Sequence, residues 1–107
     1  MEVMKPFRAR IDALDDEIVD LLAKRTAIIR EVAAFKHVHG IPAVLQDRVD
    51  EVRERNAANA AARGVDEETV RQIYALLIDY SCRLEDTLMQ AARAQDQSRD
   101  KQTAKGG

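Results

Sequence analysis

Three cations stand where apolar side chains are expected. From Pro6 to about Val38, apolar residues recur at helical spacing (Ile11, Leu14, Ile18, Leu21, Leu22, Ile28, Ile29, Val32, Phe35). Along that stripe Arg8 leads in, Arg25 interrupts between Leu22 and Ile28, and Lys36 closes it. Further on, Arg48 lies beside a second apolar face and Glu85 interrupts a third. Burying a cation is costly unless it meets a counter-charge or an anionic ligand. Three cations against one carboxylate leave an excess of positive charge suited to a small anion. The competing reading is a purely structural network, in which Glu85 pairs with Arg25 or the cationic stems lie along a bundle with their heads in water.

Spacing limits which cations can meet. At about 1.5 Å rise per residue the helix is roughly 50 Å long, Arg25 and Lys36 lie about 16 Å apart, and Arg8 about 25 Å from Arg25. Long side chains leaning inward from Arg25 and Lys36 can grip one small anion. Arg8 cannot reach it on the same straight helix, whereas the Arg8 of an antiparallel second copy can. The layout therefore predicts a dimer with sites shared between chains.

The elements that must position these groups are all helical. At 107 residues the chain is one domain, with 46% hydrophobic but only 4% aromatic residues and no alternating Val/Ile/Thr/Tyr-rich run. A globule of this size has a radius of gyration near about 13 Å, so a helix of about 50 Å needs another chain to cover its apolar face. Pro6 suits a first helical turn, and Gly40 and Pro42 end helix 1. Helix 2 is expected from about Leu45 to Arg63, with Leu45, Val49 and Val52 on one face and an Ala-rich second half closed by Gly64. Asp66 is the expected N-cap of helix 3, which runs from Glu67 to roughly Ala94 with Val70, Ile73, Tyr74, Leu77, Ile78, Ser81, Leu84, Leu88 and Met89 along its stripe. The domain thus covers 1–94, and the polar, aperiodic stretch 95–107 is expected to be a disordered tail.

Composition narrows the function classes. A net charge of −2, from 17 basic and 19 acidic residues interspersed, favours neither nucleic acid nor an anionic membrane. No segment reaches signal-peptide or membrane-span hydrophobicity, and the lone Cys82 forms no intrachain disulfide, so a cytoplasmic, reducing setting is expected. His37 and His39 do not face each other on a helix, so no metal site is expected. Cys82 reads as a small packed residue, and Tyr74 and Tyr80 as core or rim.

The ordered pattern Arg8-x-x-Ile11-Asp12-x-Leu14-Asp15, Leu21-Leu22-x-x-Arg25, Lys36, Pro42, Asp47-Arg48 and Ile78-x-x-Ser81-x-x-x-Glu85 resembles the all-helical chorismate mutase family, over Phe7 to about Gln90. The resemblance implies an intertwined homodimer of three-helix chains. It also implies a cofactor-free [3,3]-sigmatropic (Claisen) rearrangement of a small dicarboxylate. By position, Arg25 and the partner's Arg8 would bind the two carboxylates, with Arg48 in support. Lys36 and the residue at Glu85 would donate to the enol-ether oxygen, where the bond-breaking transition state gathers negative charge. Val32, Ile78 and Ser81 would line the same site.

The chain departs from the family pattern twice. Glu85 stands where bacterial members commonly have Gln, and a carboxyl group donates only in its protonated form. Activity is therefore expected to fall as Glu85 ionises, and Glu85→Gln to flatten that dependence. On helix 2, Leu45 and Val49 stand where typical mutases present acidic residues to the ring's C4 hydroxyl. An apolar wall there leaves a bound hydroxyl unpaired, at about 1–3 kcal/mol. That favours a C4-modified analogue such as 4-amino-4-deoxychorismate, or isochorismate, which makes an isochorismate pyruvate-lyase the second reading. A non-catalytic helical binding module is the third.

Overall fold

A computed structural model describes the backbone of residues 2–106 and the surroundings of side chains 3–100. A single 3-10 turn, Glu2–Met4, leads into α1 (Lys5–His39), followed by α2 (Gln46–Ala62) and α3 (Glu67–Gly106), with no strand among the described residues. All three expected helices form. Pro6 sits in the first turn of α1, and Gly40 ends the helix at φ 66, a left-handed conformation that a Cβ would strain. Its cap is completed by Ile41 N–H donating to Lys36 O at 2.9 Å. Gly64, at φ 73, turns the chain out of α2 in the same way.

Asp66 caps α3 as its sequence position predicts. Its Oδ2 accepts from the Thr69 N–H at 2.9 Å and from Thr69 Oγ1 at 2.7 Å. The Thr69 hydroxyl and amide hold the Asp66 carboxyl below its usual range. A carboxyl depressed in the folded state stabilises fully above its unfolded value and loses that contribution as pH falls through its titration. Asp66→Ala is accordingly expected to lower the Tm at pH 7, with the gap to wild type closing as pH falls below the ordinary aspartate range, as read by thermal melts across pH. At the same corner Arg71 joins α2 to α3, donating to Glu54 Oε1 at 3.0 Å and to Glu67 and Glu68 at 2.8 and 2.6 Å. Those donors draw the Glu54 carboxyl below its usual value.

α3 packs against both other helices, while α1 and α2 make no close backbone approach to each other. The contacts are made largely by small residues: Ala33 on α1 and Ala57 and Ala60 on α2 are buried, as are Ile78 and Met89 on α3. The Ala-rich second half of α2 thus serves close approach to α3, since a methyl side chain lets helix backbones come near. Between α1 and α2 a cleft remains, floored by α3.

The α1 stripe, as expected for so long a helix, is not buried within one chain: Ile11 is 56%, Leu14 58%, Ile18 54% and Phe35 59% exposed, and every residue from Val3 to Leu21 is exposed. The reason is geometric. The helix runs past the ends of its partners, giving extents of 74 × 33 × 15 Å and a radius of gyration of 19.9 Å, against about 13 Å for a globule of this length. The stretch expected as a disordered tail is instead helical through Gly106, and Gly107 lies outside the described residues. Absence of an apolar stripe misled here. Ala91, Ala92, Ala94, Gln95, Gln97 and Lys101 are good helix formers, and neither Gly nor Pro interrupts them before Gly106.

Candidate active site

The cleft is a cavity of about 520 Å³, within the range of small-molecule sites. α1 contributes Arg25, Ile28, Ile29, Val32 and Lys36 to its lining. α2 and the residues before it supply Ala43, Leu45, Arg48, Val49, Val52, Arg55 and Asn56, and α3 supplies Tyr74, Ile78, Ser81, Cys82 and Glu85. Nine of the ten residues that the sequence points to are therefore gathered in one place. Arg8 is not among them; it is exposed on the projecting half of α1.

Ser81 fixes Arg25. Arg25 Nη1 donates to Ser81 Oγ at 2.7 Å, and that hydroxyl donates in turn to Leu77 O at 2.9 Å. With Ser81 only 5% exposed, its rotamer is locked and one of Arg25's five donors is held, leaving the rest of the guanidinium available. A hydroxyl inside the α3 stripe, with four residues to Glu85, was the sequence signal for this arrangement.

Lys36 meets Glu85. Its Nζ donates to Ala43 O at 2.9 Å and lies 2.7 Å from Glu85 Oε1, with both side chains largely shielded from solvent. The ammonium is close enough for a strong ion pair yet outside hydrogen-bond angles, so buried Oε1 accepts no aligned hydrogen bond. The structural network considered from sequence paired Glu85 with Arg25. Here Glu85 is instead the counter-ion of Lys36, and Arg25 is anchored by a neutral hydroxyl. Since the Ala43 carbonyl also holds Lys36, the α1–α2 connection takes part in aiming it.

Arg48 is less committed to the cavity than its position suggests. It lines the rim but is exposed and donates to Glu51 Oε1 at 2.6 Å, an i,i+3 pair that solvent screens. Arg55, which the sequence reading passed over, lines the far end together with Asn56, whose Nδ2 donates to Val52 O at 2.8 Å. Arg55 lies two turns beyond Arg48, so continuing that face by seven residues would have found it; Tyr74, expected on the α3 stripe as core or rim, lines the cavity two turns before Ser81. Leu45 and Val49 form the expected apolar wall on α2. Cys82 on α3 lines the same cavity; burial pushes its thiol up, with nearby Glu85 adding to the rise and Lys36 opposing it. His37 reaches Asp96, and the His39 ring lies 4.1 Å from that of Phe35, so the two histidines face apart as their spacing implies.

Four cations and one carboxylate thus line a cavity with aliphatic walls, an arrangement that can hold and desolvate a small dianion while presenting fixed positive charge to a reacting oxygen. Among the described residues, no helix is long and apolar enough to cross a membrane.

Comparison with known proteins agrees with this geometry. The family model described as chorismate mutase type II matches residues 7–86. The chain is 35% identical over 86 residues to a 4-amino-4-deoxychorismate mutase of Streptomyces venezuelae, covering 80% of this chain and 84% of that protein. It is 34% identical over 79 residues to a protein of the same name from Streptomyces pristinaespiralis, covering 74% of this chain and 61% of the relative. A chorismate mutase of Methanocaldococcus jannaschii is 28% identical over 81 residues, 76% of this chain and 82% of that one. A three-helix scaffold, a cationic cleft and a match across both place this chain in the type II chorismate mutase family, as an isomerase of the chorismate mutase type rather than a non-catalytic module.

Proposed function

We propose that the chain is a homodimeric, cofactor-free mutase that rearranges a chorismate-type dicarboxylate through a [3,3]-sigmatropic step and prefers an amino group over a hydroxyl at ring C4. In this step the ether C–O bond breaks as a C–C bond forms, and negative charge builds on the departing oxygen. Arg25 holds one carboxylate, the partner's Arg8 the other, and Arg48 supports the site from the rim. Lys36 turns from Glu85 to the ether oxygen. Clamping both carboxylates holds the chair-like reactive conformer, so much of the barrier is lowered by restricting the substrate before reaction.

The pair Leu45 and Val49 on the cavity wall weighs against a C4 hydroxyl, since neither can accept a hydrogen bond and the bound hydroxyl gives up its water without replacement. The wall offers an amine no acceptor either, so the observation that carries the amino preference is the likeness to two relatives named 4-amino-4-deoxychorismate mutases.

The test is a substrate panel of chorismate, 4-amino-4-deoxychorismate and isochorismate with product identification. A kcat/KM for 4-amino-4-deoxychorismate about ten-fold or more above that for chorismate is expected, a difference of about 1.4 kcal/mol or more. Restoring an acceptor with Val49→Glu is expected to raise turnover of chorismate itself. Salicylate plus pyruvate from isochorismate as the dominant reaction would replace the mutase reading with the lyase one.

A further inference from the structure

The turn of α1 that carries Lys36 borders two cavities. The second, of about 450 Å³, is bounded by Lys36, His37, Pro42, Asp86, Met89 and Arg93. What crosses the gap is a pair from outside the active cavity. His37 Nε2 lies 2.7 Å from Asp96 Oδ2. A carboxylate only accepts, so Nε2 carries the hydrogen. The imidazole is 20% exposed and Asp96 56%. Asp96 sits two turns beyond Met89, on the part of α3 past residue 86, where the family match ends.

We propose that His37 and Asp96 form a positioning pair that sets the aim of Lys36. Consecutive helical residues point about 100° apart. Lys36 therefore ties α1 to α3 in one direction, through Glu85, and His37 ties it in another, through Asp96. The Glu85 tie acts only while Lys36 points at it, whereas the His37 tie is independent of where Lys36 points. The second tie matters most during reaction. This rests on the functional reading above, in which Lys36 leaves Glu85 for the ether oxygen, and at that moment the His37 bond still joins the turn to α3. The polar extension of α3, which adds nothing to the apolar core, acquires a role as the arm that brings Asp96 to α1.

The full-length chain tests this with Asp96→Ala, Asp96→Asn and His37→Ala, assayed on chorismate and 4-amino-4-deoxychorismate. Asp96→Ala is expected to lower kcat about ten-fold, the scale of a slightly misplaced catalytic group, and to leave KM within about two-fold. Asp96→Asn, whose amide oxygen still accepts from Nε2–H, restores kcat, and the His37→Ala/Asp96→Ala double variant is no slower than either single. Independently of turnover, amides from Val38 to Ile41 exchange with solvent faster in Asp96→Ala. Unchanged kcat and exchange in Asp96→Ala, additive losses in the double variant, or an Asn variant as slow as the Ala variant would each overturn the pair. If Lys36 itself proves dispensable for turnover, the functional reading fails, and the exchange rates still decide whether the tie exists.

Discussion

Replacing Lys36 with alanine lowers kcat by about 100- to 1,000-fold, the range for removing one preorganised donor from a developing oxyanion. The loss falls on kcat more than on KM, because the charge that Lys36 meets exists only as the ether bond breaks. The same substitution has a second consequence. Glu85 is 5% exposed and its Oε1 has no hydrogen bond, so without Lys36 at 2.7 Å it becomes a buried charge with no counter-ion. Breaking a buried pair by removing one partner costs about 3–5 kcal/mol, enough to threaten folding on its own. The clean variant is therefore Lys36→Met combined with Glu85→Gln, which removes both charges and keeps the volume. It is expected to melt near wild type while remaining inactive on the full substrate panel. Measurable turnover by this folded double variant would remove Lys36 from the mechanism. Glu85→Gln alone separates the remaining question. If Glu85 acts by donating when protonated, the glutamine donates at every pH and the activity profile flattens on its alkaline side. If Glu85 serves only to hold Lys36, the glutamine loosens the lysine and kcat falls across the whole range.

How much of this was legible in the sequence depended on whether the signal was local or relational. Helix ends were legible because caps are local: Gly40 and Gly64 take positive φ because they have no Cβ, and Asp66 caps through its own carboxylate. The gathering of Arg25, Lys36, Ser81 and Glu85 was legible because a polar residue inside an apolar stripe marks its own position on the helix face. Which of them pair was not. The choice between Arg25–Glu85 and Lys36–Glu85 turns on the axial offset of α1 against α3, and periodicity fixes the rotation of a helix but not its sliding. Ser81 takes the place expected for Glu85 because it lies one turn nearer the N-terminus of α3, opposite Arg25. The continuation of α3 past Ala94 was hidden for a different reason: propensity alone sustains a helix that presents no buried face, and periodicity cannot register one. Arg55 and Asn56 were hidden because a weakly amphipathic, Ala-rich helix gives little sign of which side faces the cleft.

Two inactive variants are expected to rescue each other. Arg8→Ala leaves its own chain's cleft untouched, since Arg8 is exposed and far along α1 from Arg25 and Lys36. Phe7, Ile11, Leu14 and Ile18 form an exposed row, and the antiparallel pair proposed above would cover it and carry Arg8 to the other chain's cleft. Each site then takes Lys36 from one chain and Arg8 from its neighbour. A homodimer of Arg8→Ala lacks the second carboxylate clamp at both sites, and a homodimer of the Lys36→Met/Glu85→Gln variant lacks the donor at both. In a mixed dimer, two-fold symmetry places both defects at one site and leaves the other complete. Random exchange gives half of the dimers as mixed with half of their sites intact, so activity recovers to about one quarter of wild type. Co-expression with two affinity tags isolates the mixed species, which is expected at about one half. A site completed within one chain predicts no recovery at all, because every cleft in the mixture then carries one defect or the other. A recovery that appears in the mixture and is absent from the purified mixed dimer would equally exclude shared sites. The same experiment reads the covering of the α1 stripe: Leu14→Glu, placed in the middle of the exposed row, is expected to shift the protein to monomer in sedimentation and to abolish turnover with every cleft residue still in place.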